Sequence, residues 1–368
     1  MRVAIAVSGM GFINRGLETW GCRLVAELSK SRKLEVFLLK GAGNNSGGEY
    51  RLPCLKRNSI IYGGRSSPIG WGHRLGMEEL TFSIPATLLA KTMSFDIMHI
   101  GQPFRLLFAL KKRNMMSSEI IFMNPWFYYP NLRYIWVQQS APYYLERAQE
   151  KGIDTSRWFV IPNFVDTVEF SPSSRSDLRL RLGIPEDAFV VLSVGEITKR
   201  YKRMDWLIRE VSRLEKALQR RPYLVILGQI EDETNEIVQI GRDLLSDHVL
   251  FLTGLSRDEM PAVYSMSDLF VLCSAPESFG ISFIEAMACG KPVVGHNYPV
   301  TSWIIGEGGD TVDMTREGAL AEVIEQYALD EDLRREKGGK ARNRAVEAFS
   351  KDKIVREILH MYDKVHSS

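Results

Sequence analysis

The chain has 368 residues, of which 45% are hydrophobic and 25% charged, and this length is sufficient for two domains with separate cores. Its formal net charge of +2 excludes the strongly basic composition that is typical of general nucleic-acid binding. No run approaches the roughly 18 apolar residues of a membrane span, and the N-terminal stretch lacks the length and cleavage site of a signal peptide. The four cysteines, which show no C-x-x-C spacing, predict reduced thiols in a cytoplasmic protein.

The first half of the chain alternates between β-branched runs and segments of helical period. The run "VAIAV" (3–7) predicts a buried parallel strand, and apolar residues at three- and four-residue spacings predict an amphipathic helix from Gly16 to Lys30. The stretch 40–76, rich in Gly, Ser and Asn, predicts only loops and short strands. Further strands are predicted at 34–39, 95–100, 119–123, 133–140 and 158–166.

A second alternating series follows the Ser- and Pro-rich linker "SPSSRSD" (171–177). Its strands are predicted at 188–195, 223–228, 248–254, 268–274 and 292–295, with a helix marked by Leu207, Val211, Leu214 and Leu218. We therefore predict an α/β protein with two doubly wound Rossmann-like domains, residues 1–170 and 171–349. An amphipathic C-terminal helix, 350–368, could pack on either domain. The expected active site is the cleft between the domains, at the carboxyl ends of the strands.

Two acids flank a glycine in the segment "APESFGISFIEAMACGKPVVG" (275–295). Glu277 follows a predicted strand, and a helix is predicted from Ile281 to Cys289, so the backbone amides at its start are free to bind an anion. Glu285 lies in a nearly all-apolar helix, which argues against a solvated position. The pattern predicts donors for phosphates beside acceptors for sugar hydroxyls. The alternative is that Glu277 caps the helix and Glu285 is merely solvated.

This segment resembles the E-x7-E signature of the GT-B glycosyltransferases, specifically glycosyltransferase family 4. The stretch "EAMACGKPVV" makes the resemblance specific. Weaker matches occur in the family's order along most of the chain: "RGLETWGCRLVAELSKSRKLEVFLL", "FDIMHI", "VIPNFVDTVEF" and "VGEITKRYKRMDWLI". The resemblance implies the two-domain GT-B fold and a retaining transfer from a nucleoside-diphosphate sugar, UDP- or GDP-linked, without a metal ion or other cofactor.

The resemblance also assigns roles to residues of the second domain. It implies that Glu285 holds the ribose hydroxyls of the nucleotide and that Glu277 contacts hydroxyls of the transferred sugar. Lys202 occupies the position of the family's diphosphate lysine, and the surrounding cations of "TKRYKR" (198–203) meet the charge that no metal ion neutralises. The other expected donor contacts are Gly195, Ser278, Phe279, Gly280 and Ile281.

The loop "SGMGFINRG" (8–16) follows the first predicted strand and opens a helix. It is not a clean G-x-G-x-x-G, so it is weak as a dinucleotide-binding fingerprint. As a loop that approaches the donor phosphates and the acceptor it fits the resemblance, with contacts expected from Gly11, Asn14, Arg15 and Gly16. Glu18 is expected to support this loop from the first helical turn.

The chain departs from the family pattern at two places. Glu196 follows Gly195 where the family usually has an arginine, and Lys199 or Arg200 is expected to supply that charge. Asn124 stands at the strand end where many members have a histidine, and an amide cannot act as a general base. His99 is a second catalytic candidate, although a lone histidine on a strand is more often a core residue.

The sequence indicates less about the acceptor than about the donor. Aromatic and basic residues mix in 101–116 and 124–136, which fits either core packing or peripheral contact with the inner face of a membrane. A glycan, a lipid-linked and a small-molecule acceptor all remain open. Two other functions are weighed against glycosyl transfer: an epimerase of the same architecture, which would not need the E-x7-E helix, and a non-catalytic nucleotide-sugar-binding subunit.

Overall fold

The chain divides into two compact units, each with its own parallel sheet and its own hydrophobic core. Unit 1 comprises Met1–Asn163 together with Ile354–Ser368, and unit 2 comprises Phe164–Lys353. The computed structural model describes residues 1–13, 15–59, 71–124, 132–172, 177–216 and 221–368. Among the helices in these ranges, none is both long and apolar enough to cross a bilayer.

Unit 1 is built on a sheet of seven described strands in the order β3-β2-β1-β4-β5-β6-β7, and every recorded pairing is parallel. The strands are β1 (Arg2–Val7), β2 (Glu35–Lys40), β3 (Glu49–Arg51), β4 (Ile97–Ile100), β5 (Glu119–Asn124), β6 (Trp136–Gln139) and β7 (Trp158–Val160). Because β1 has β2 on one side and β4 on the other, the strand order reverses between β1 and β4, where ligands bind in open α/β sheets.

Four helices in the described part of unit 1 connect these strands: α1 (Gly16–Leu28), α2 (Trp71–Met93), α3 (Arg105–Lys112) and α4 (Pro142–Glu150). The prediction of loops up to residue 76 is wrong, because α2 begins at Trp71. Its helical period is obscured in the sequence, since apolar residues lie on both its buried and its exposed faces. The inner face, with Phe82, Ala86 and Ala90, packs into the core of unit 1.

Unit 2 has a second parallel sheet, with six described strands in the order β10-β9-β8-β11-β12-β13. The strands are β8 (Val190–Val194), β9 (Tyr223–Leu227), β10 (Val249–Leu252), β11 (Leu269–Leu272), β12 (Val293–His296) and β13 (Gly309–Val312). The strand β13 was not predicted, because "GDTV" is short and begins with a glycine. A Cβ at Gly309 would lie 1.8 Å from the carbonyl oxygen of Val293, so only glycine allows this edge pairing.

The described helices of unit 2 lie before, between and after these strands. They are α5 (Leu178–Arg181), α6 (Met204–Ser212), α7 (Thr234–Leu245), α8 (Met260–Ser265), α9 (Ile281–Ala288), α10 (Pro299–Ile305), α11 (Ala319–Leu329) and α12 (Glu331–Phe349). The helix predicted through Leu218 is regular only to Ser212 and continues as a 3₁₀ turn over Arg213–Lys216. Leu218 itself lies outside the described residues. The predicted α/β class with two doubly wound sheets is confirmed.

The last helix, α13 (Lys351–His366), packs with unit 1 from Ile354 onward. The units divide at 163/164 and 353/354, compared with predicted boundaries at 170/171 and 349/350. Hydrogen bonds explain why the first boundary lies before residue 164. The backbone of Val165 pairs with Phe349 and Lys351, and Arg342 donates to the carbonyl oxygens of Thr167 and Phe170, so the segment 164–170 is held by the end of unit 2.

Candidate active site

The predicted acids of unit 2 lie where its strand order reverses, between β8 and β11. Glu277 is in the loop after β11, and Lys202 is in the loop after β8. Parallel sheets bind ligands at the carboxyl ends of such neighbouring strands. The topology therefore brings together two loops that are 75 residues apart in sequence.

Lys202 and Glu277 form an ion pair, in which Lys202 Nζ lies 2.6 Å from Glu277 Oε2. The two side chains are 22% and 11% exposed, so the pair is shielded but still reachable. Burial pushes the pKa of Glu277 upward, but the Lys202 ammonium and the hydrogen bonds to the carboxylate outweigh it and hold the pKa below its usual value. Glu277 is therefore ionised at neutral pH and holds a cation in place.

The loop after Glu277 ends at the start of α9, where predicted and observed helix starts coincide at Ile281. Gly280 has φ +79°, and a Cβ there would lie 2.7 Å from Cδ2 of Phe283, so the turn requires glycine. The amide of Ser278 donates to Glu277 Oε1 at 3.2 Å. Within the described residues, the amides of Phe279, Gly280 and Ile281 have no recorded acceptor. These amides are available to an anion at the positive end of the helix dipole.

Glu285 lies inside α9 and is 8% exposed, so the alternative of a solvated helix position is wrong. Its Oε2 accepts a hydrogen bond from the hydroxyl of Tyr264, at 2.7 Å. Tyr264 belongs to α8 and is fully buried. Tyr264 was not identified from the sequence, although a tyrosine on the apolar face of a short helix indicates a phenol that needs a buried partner.

The cations of the loop after β8 contact different partners in the structure. Lys199 forms an ion pair with Glu236, and its amide donates to Glu233 at 2.7 Å. Arg200 is exposed, with its guanidinium 5.4 Å from the ring centroid of Tyr201. Of the four cations in this loop, only Lys202 is paired with Glu277. The expectation that Lys199 or Arg200 supplies the missing arginine charge finds no support in these contacts.

Gly195 lies at the base of the same loop, directly after β8. Its amide donates to the carbonyl oxygen of Leu227 at 2.9 Å. A Cβ at Gly228 would lie 1.7 Å from the carbonyl oxygen of Gly195, so the loops after β8 and β9 approach closely. A Cβ at Gly195 would itself lie 3.3 Å from the Lys202 side chain. Gly195 therefore leaves room for the lysine.

In unit 1, the loop after β1 likewise lies at the carboxyl end of a strand where the strand order reverses. Gly11 has φ +94°, and a Cβ there would lie 2.4 Å from the carbonyl oxygen of Ala42 in the loop after β2. Arg15 precedes α1 without a side-chain cap, and Gly16 is its exposed first residue. The fourth predicted contact, Asn14, lies outside the described residues. The ligand contacts expected of this loop stay predictions.

A buried ionic cluster underlies this loop. The hydroxyl of Ser8 donates to Glu78 at 2.7 Å, and the guanidinium of Arg57 donates to Glu78 at 2.6 and 2.9 Å. Glu18 lies 4.0 Å from Arg57, and a Cβ at Gly9 would lie 2.2 Å from Glu18 Oε1, so Glu18 contacts the loop as expected. Burial raises the pKa of Glu18, although Arg57 opposes the change. Sequence analysis missed Arg57 and Glu78.

Glu79, next to this cluster, is partly buried. Burial raises the pKa of Glu79 to about 7, Arg57 opposes the rise and Glu78 adds to it.

The two catalytic candidates of unit 1 are both buried. His99 has no exposed surface, its Nδ1 lies 2.7 Å from the hydroxyl of Tyr362, and the ring of Trp20 packs edge-on against it. Burial lowers the pKa of His99 to about 3, so the imidazole is neutral. This placement fits a core residue and not a catalytic one. Asn124 is 1% exposed at the carboxyl end of β5, opposite Gln139.

Sequence comparison relates part of the chain to known proteins. Residues 174–344 match the family described as glycosyl transferases group 1. The N-acetyl-alpha-D-glucosaminyl L-malate synthase of Bacillus anthracis is 30% identical over 204 residues, covering 54% of this chain and 52% of that protein. The D-inositol 3-phosphate glycosyltransferase of Salinispora arenicola is 32% identical over 225 residues, covering 57% of this chain and 50% of that protein. The matches thus span about half the length of these relatives.

Solved structures cover nearly the whole chain at lower sequence identity. The sucrose-phosphate synthase of Thermosynechococcus elongatus superimposes with a TM-score of 0.81 at 17% identity, covering 100% of this chain and 99% of that chain. The Anabaena protein HepE, in complex with UDP-glucose, gives a TM-score of 0.76 at 18% identity, covering 99% and 100%. The chain therefore has the GT-B fold, and its residues 174–344 are similar to the glycosyl transferases group 1 family.

Proposed function

We propose that the protein is a retaining glycosyltransferase that, without a metal ion, moves a sugar from a nucleoside-diphosphate-sugar donor to a hydroxyl of an acceptor. The observation that carries the proposal is the shielded pair of Lys202 and Glu277 beside the available amides at the start of α9. A fixed cation and helix amides together stabilise a diphosphate leaving group. UDP-glucose is the first donor to test, because the HepE protein was crystallised with it.

Each part of the site has a role in donor binding. Glu285, with its carboxylate held by Tyr264, accepts hydrogen bonds from the ribose hydroxyls. Glu277 accepts hydrogen bonds from hydroxyls of the transferred sugar. The amides of Phe279, Gly280 and Ile281 bind the diphosphate. Because Glu277 already holds Lys202 in the structure, little reorganisation is needed before the charge of Lys202 acts.

The chemical step needs no protein base. The bond between the anomeric carbon and the diphosphate oxygen breaks while the acceptor oxygen bonds to that carbon on the same face. The acceptor's proton passes to the leaving diphosphate. This route agrees with the burial of His99 in the core and with Asn124, whose amide cannot take a proton. A glycan, a lipid-linked molecule or a small molecule can supply the hydroxyl.

A donor screen followed by two variants tests the proposal. UDP-, GDP- and ADP-glucose are compared by thermal shift, since a ligand that binds the folded state raises the melting temperature. With the best donor, Glu285→Gln should weaken binding about tenfold, because hydrogen bonds to a charged acceptor contribute roughly 1.5–3 kcal/mol. Glu322→Gln, an exposed acid on α11, serves as the matched control. Unchanged affinity in Glu285→Gln would show that the ribose site lies elsewhere.

Turnover is tested at Lys202. Removing one preorganised charge from a reacting phosphate should lower kcat by roughly 10²–10³ with a smaller effect on donor affinity. Because Lys202→Met leaves Glu277 as an unpaired carboxylate, the melting temperature of Lys202→Met separates charge loss from instability. Lys340→Met, an exposed lysine on α12, is the control. Wild-type kcat in Lys202→Met would exclude the assigned role.

A second candidate function is a non-catalytic nucleotide-sugar-binding subunit. It is favoured by the separation of the loop cations, since Lys199 is paired with Glu236 and Arg200 faces solvent. The two functions give different results with the purified chain and a bound donor. Sugar transfer or donor hydrolysis by the chain alone excludes the binding subunit, whereas activity that appears only with a partner chain supports it.

A further inference from the structure

The outward face of α2 carries four exposed apolar side chains. Met77, Leu80, Ile84 and Leu88 are 42%, 49%, 50% and 63% exposed, respectively. Their spacing of three, four and four residues places them on one side of the helix. We call these four residues the outer stripe of α2.

The described part of unit 1 does not account for the outer stripe. The opposite face of α2 already supplies the core contacts, through Phe82, Ala86 and Ala90, each of which is at most 1% exposed. A surface helix that packs on one side normally shows polar residues to water on the other. A continuous apolar face that remains exposed marks a surface that is covered by another molecule or a membrane.

The charges around the outer stripe are of one sign. α3 packs beside α2, with the rings of Phe82 and Phe104 5.2 Å apart. The acids of α2 offer little exposed charge: Glu78 is fully buried and paired with Arg57, and Glu79 is partly buried with a raised pKa. The exposed charged residues of the two helices and of the residue that follows α3 are all cations: Lys91, Arg105, Lys112 and Arg113. Met115, two residues after Arg113, is also exposed, at 52%.

We propose that the outer stripe of α2 docks on an anionic lipid bilayer, with its apolar side chains at the level of the acyl-chain boundary and the neighbouring cations on lipid phosphates. A helix with an exposed apolar face flanked by lysine and arginine has the chemistry of an interfacial membrane helix. The proposal goes beyond glycosyl transfer and does not depend on it, since docking requires no donor.

A second copy of the chain fits the outer stripe less well. Four half-exposed side chains on one helix fall far short of the roughly 800 Å² per partner that a stable dimer buries. Face-to-face pairing of two copies would also bring Lys91 and its neighbouring cations together, and like charges repel. An anionic surface complements the same cations.

Vesicle co-sedimentation of the full chain tests the proposal. Vesicles of equimolar phosphatidylglycerol and phosphatidylcholine are compared with phosphatidylcholine alone, at about 0.1 M and 0.5 M NaCl. We expect binding to the anionic vesicles at low salt and at least tenfold weaker partitioning with neutral lipid or at high salt. Ile84→Asp/Leu88→Asp should lower partitioning on anionic vesicles at least tenfold. The conservative variant Ile84→Leu/Leu88→Ile should partition as the wild type does.

Controls distinguish docking from unfolding and from self-association. Leu180→Asp/Leu329→Asp changes two apolar side chains of unit 2 that are 81% and 70% exposed, and it should leave vesicle binding unchanged. The melting temperatures of all variants verify that they fold. Equal partitioning of wild type and Ile84→Asp/Leu88→Asp, equal binding to neutral vesicles, or no binding at all would overturn the proposal. A wild-type dimer in light scattering that Ile84→Asp/Leu88→Asp dissociates, without vesicle binding, would assign the outer stripe to self-association.

Discussion

The carboxylate of Glu285 is almost completely buried, yet in the proposed function it has to meet ribose hydroxyls in one orientation. The hydroxyl of Tyr264 donates to it from a neighbouring helix, 21 residues away in sequence. Tyr264 is itself fully enclosed by the core of unit 2, so its ring cannot turn away. The hydrogen bond from this phenol fixes one carboxylate oxygen, Oε2. We therefore expect Tyr264 to act as a positioning residue for Glu285.

Tyr264→Phe should weaken donor binding about five- to tenfold, because one charge-assisted hydrogen bond to Glu285 is lost while the ring stays in place. We expect the kcat of transfer to change less than donor affinity. Titration calorimetry with the best donor measures the effect. Tyr327→Phe, which removes a phenol bond to Asp310 in the same unit, is the matched control and should leave donor affinity unchanged. Equal losses in the two variants would reduce Tyr264 to a structural role.

Glu79 should make unit 1 less stable as the pH rises. Its pKa is raised in the folded state from 4.5 to about 7, so folding binds a proton between these values and stability falls as pH increases through this window. The partly buried carboxylate becomes fully charged only as the pH rises well above 7. Glu79→Gln removes it and should raise the free energy of unfolding at pH 8 by roughly 2–3 kcal/mol, with no gain at pH 4. Urea unfolding at both pH values measures the difference, and a gain independent of pH contradicts the prediction.

At the scale of single elements, the loop from Glu277 to α9 was predictable because everything that specifies it is local. A strand end, a glycine with positive φ and an apolar helix follow one another within 20 residues. The partners of these residues were not predictable in the same way. Tyr264 reaches Glu285 from another helix, and Arg57 and Ser8 reach Glu78 across 21 and 70 residues. Such contacts depend on the order of the strands, which periodicity does not determine. Lys202 was identified only through the family resemblance.

The turn at Gly280 provides a test of the amide site. Gly280→Ala combines the strain of a positive φ with a Cβ 2.7 Å from Phe283, so the start of α9 must shift and donor affinity should fall at least tenfold. Gly318→Ala has the same kind of backbone strain, at φ +81°, but nothing within 4 Å of the added Cβ. Both variants should lose roughly 1–2 kcal/mol of stability from backbone strain, and Gly280→Ala should lose more. Calorimetry and thermal melting measure the two effects, and donor affinity should fall only in Gly280→Ala.

At the scale of the whole molecule, unit 1 is assembled from two distant parts of the chain. Ile354, Ile358, Met361 and Tyr362 on α13 are fully buried, and Tyr362 also contacts His99 in the middle of the first sheet. The sequence predicted the amphipathic helix but not which unit it completes, because an apolar stripe does not identify its partner. The structure assigns residues from 354 onward to unit 1.

Weaker packing of α13 should therefore destabilise unit 1 and not unit 2. Ile358→Ala removes a fully buried side chain and should cost roughly 2–5 kcal/mol, which falls on unit 1. Glu357→Ala, on the neighbouring position of the helix, is the control. Hydrogen exchange should accelerate in peptides from 1–163, while peptides from 164–353 retain their protection. Faster exchange confined to 164–353 would contradict the assignment of α13.

The division of unit 1 also determines the order in which a newly made chain can mature. A ribosome completes residues 1–163 first, yet the helix that seals their core is translated only after all of Phe164–Lys353. Domains that emerge first usually fold first. Here the later-emerging sheet can finish while the earlier one waits with apolar surface uncovered, so chaperones that protect nascent chains should bind the N-terminal half for the longest time.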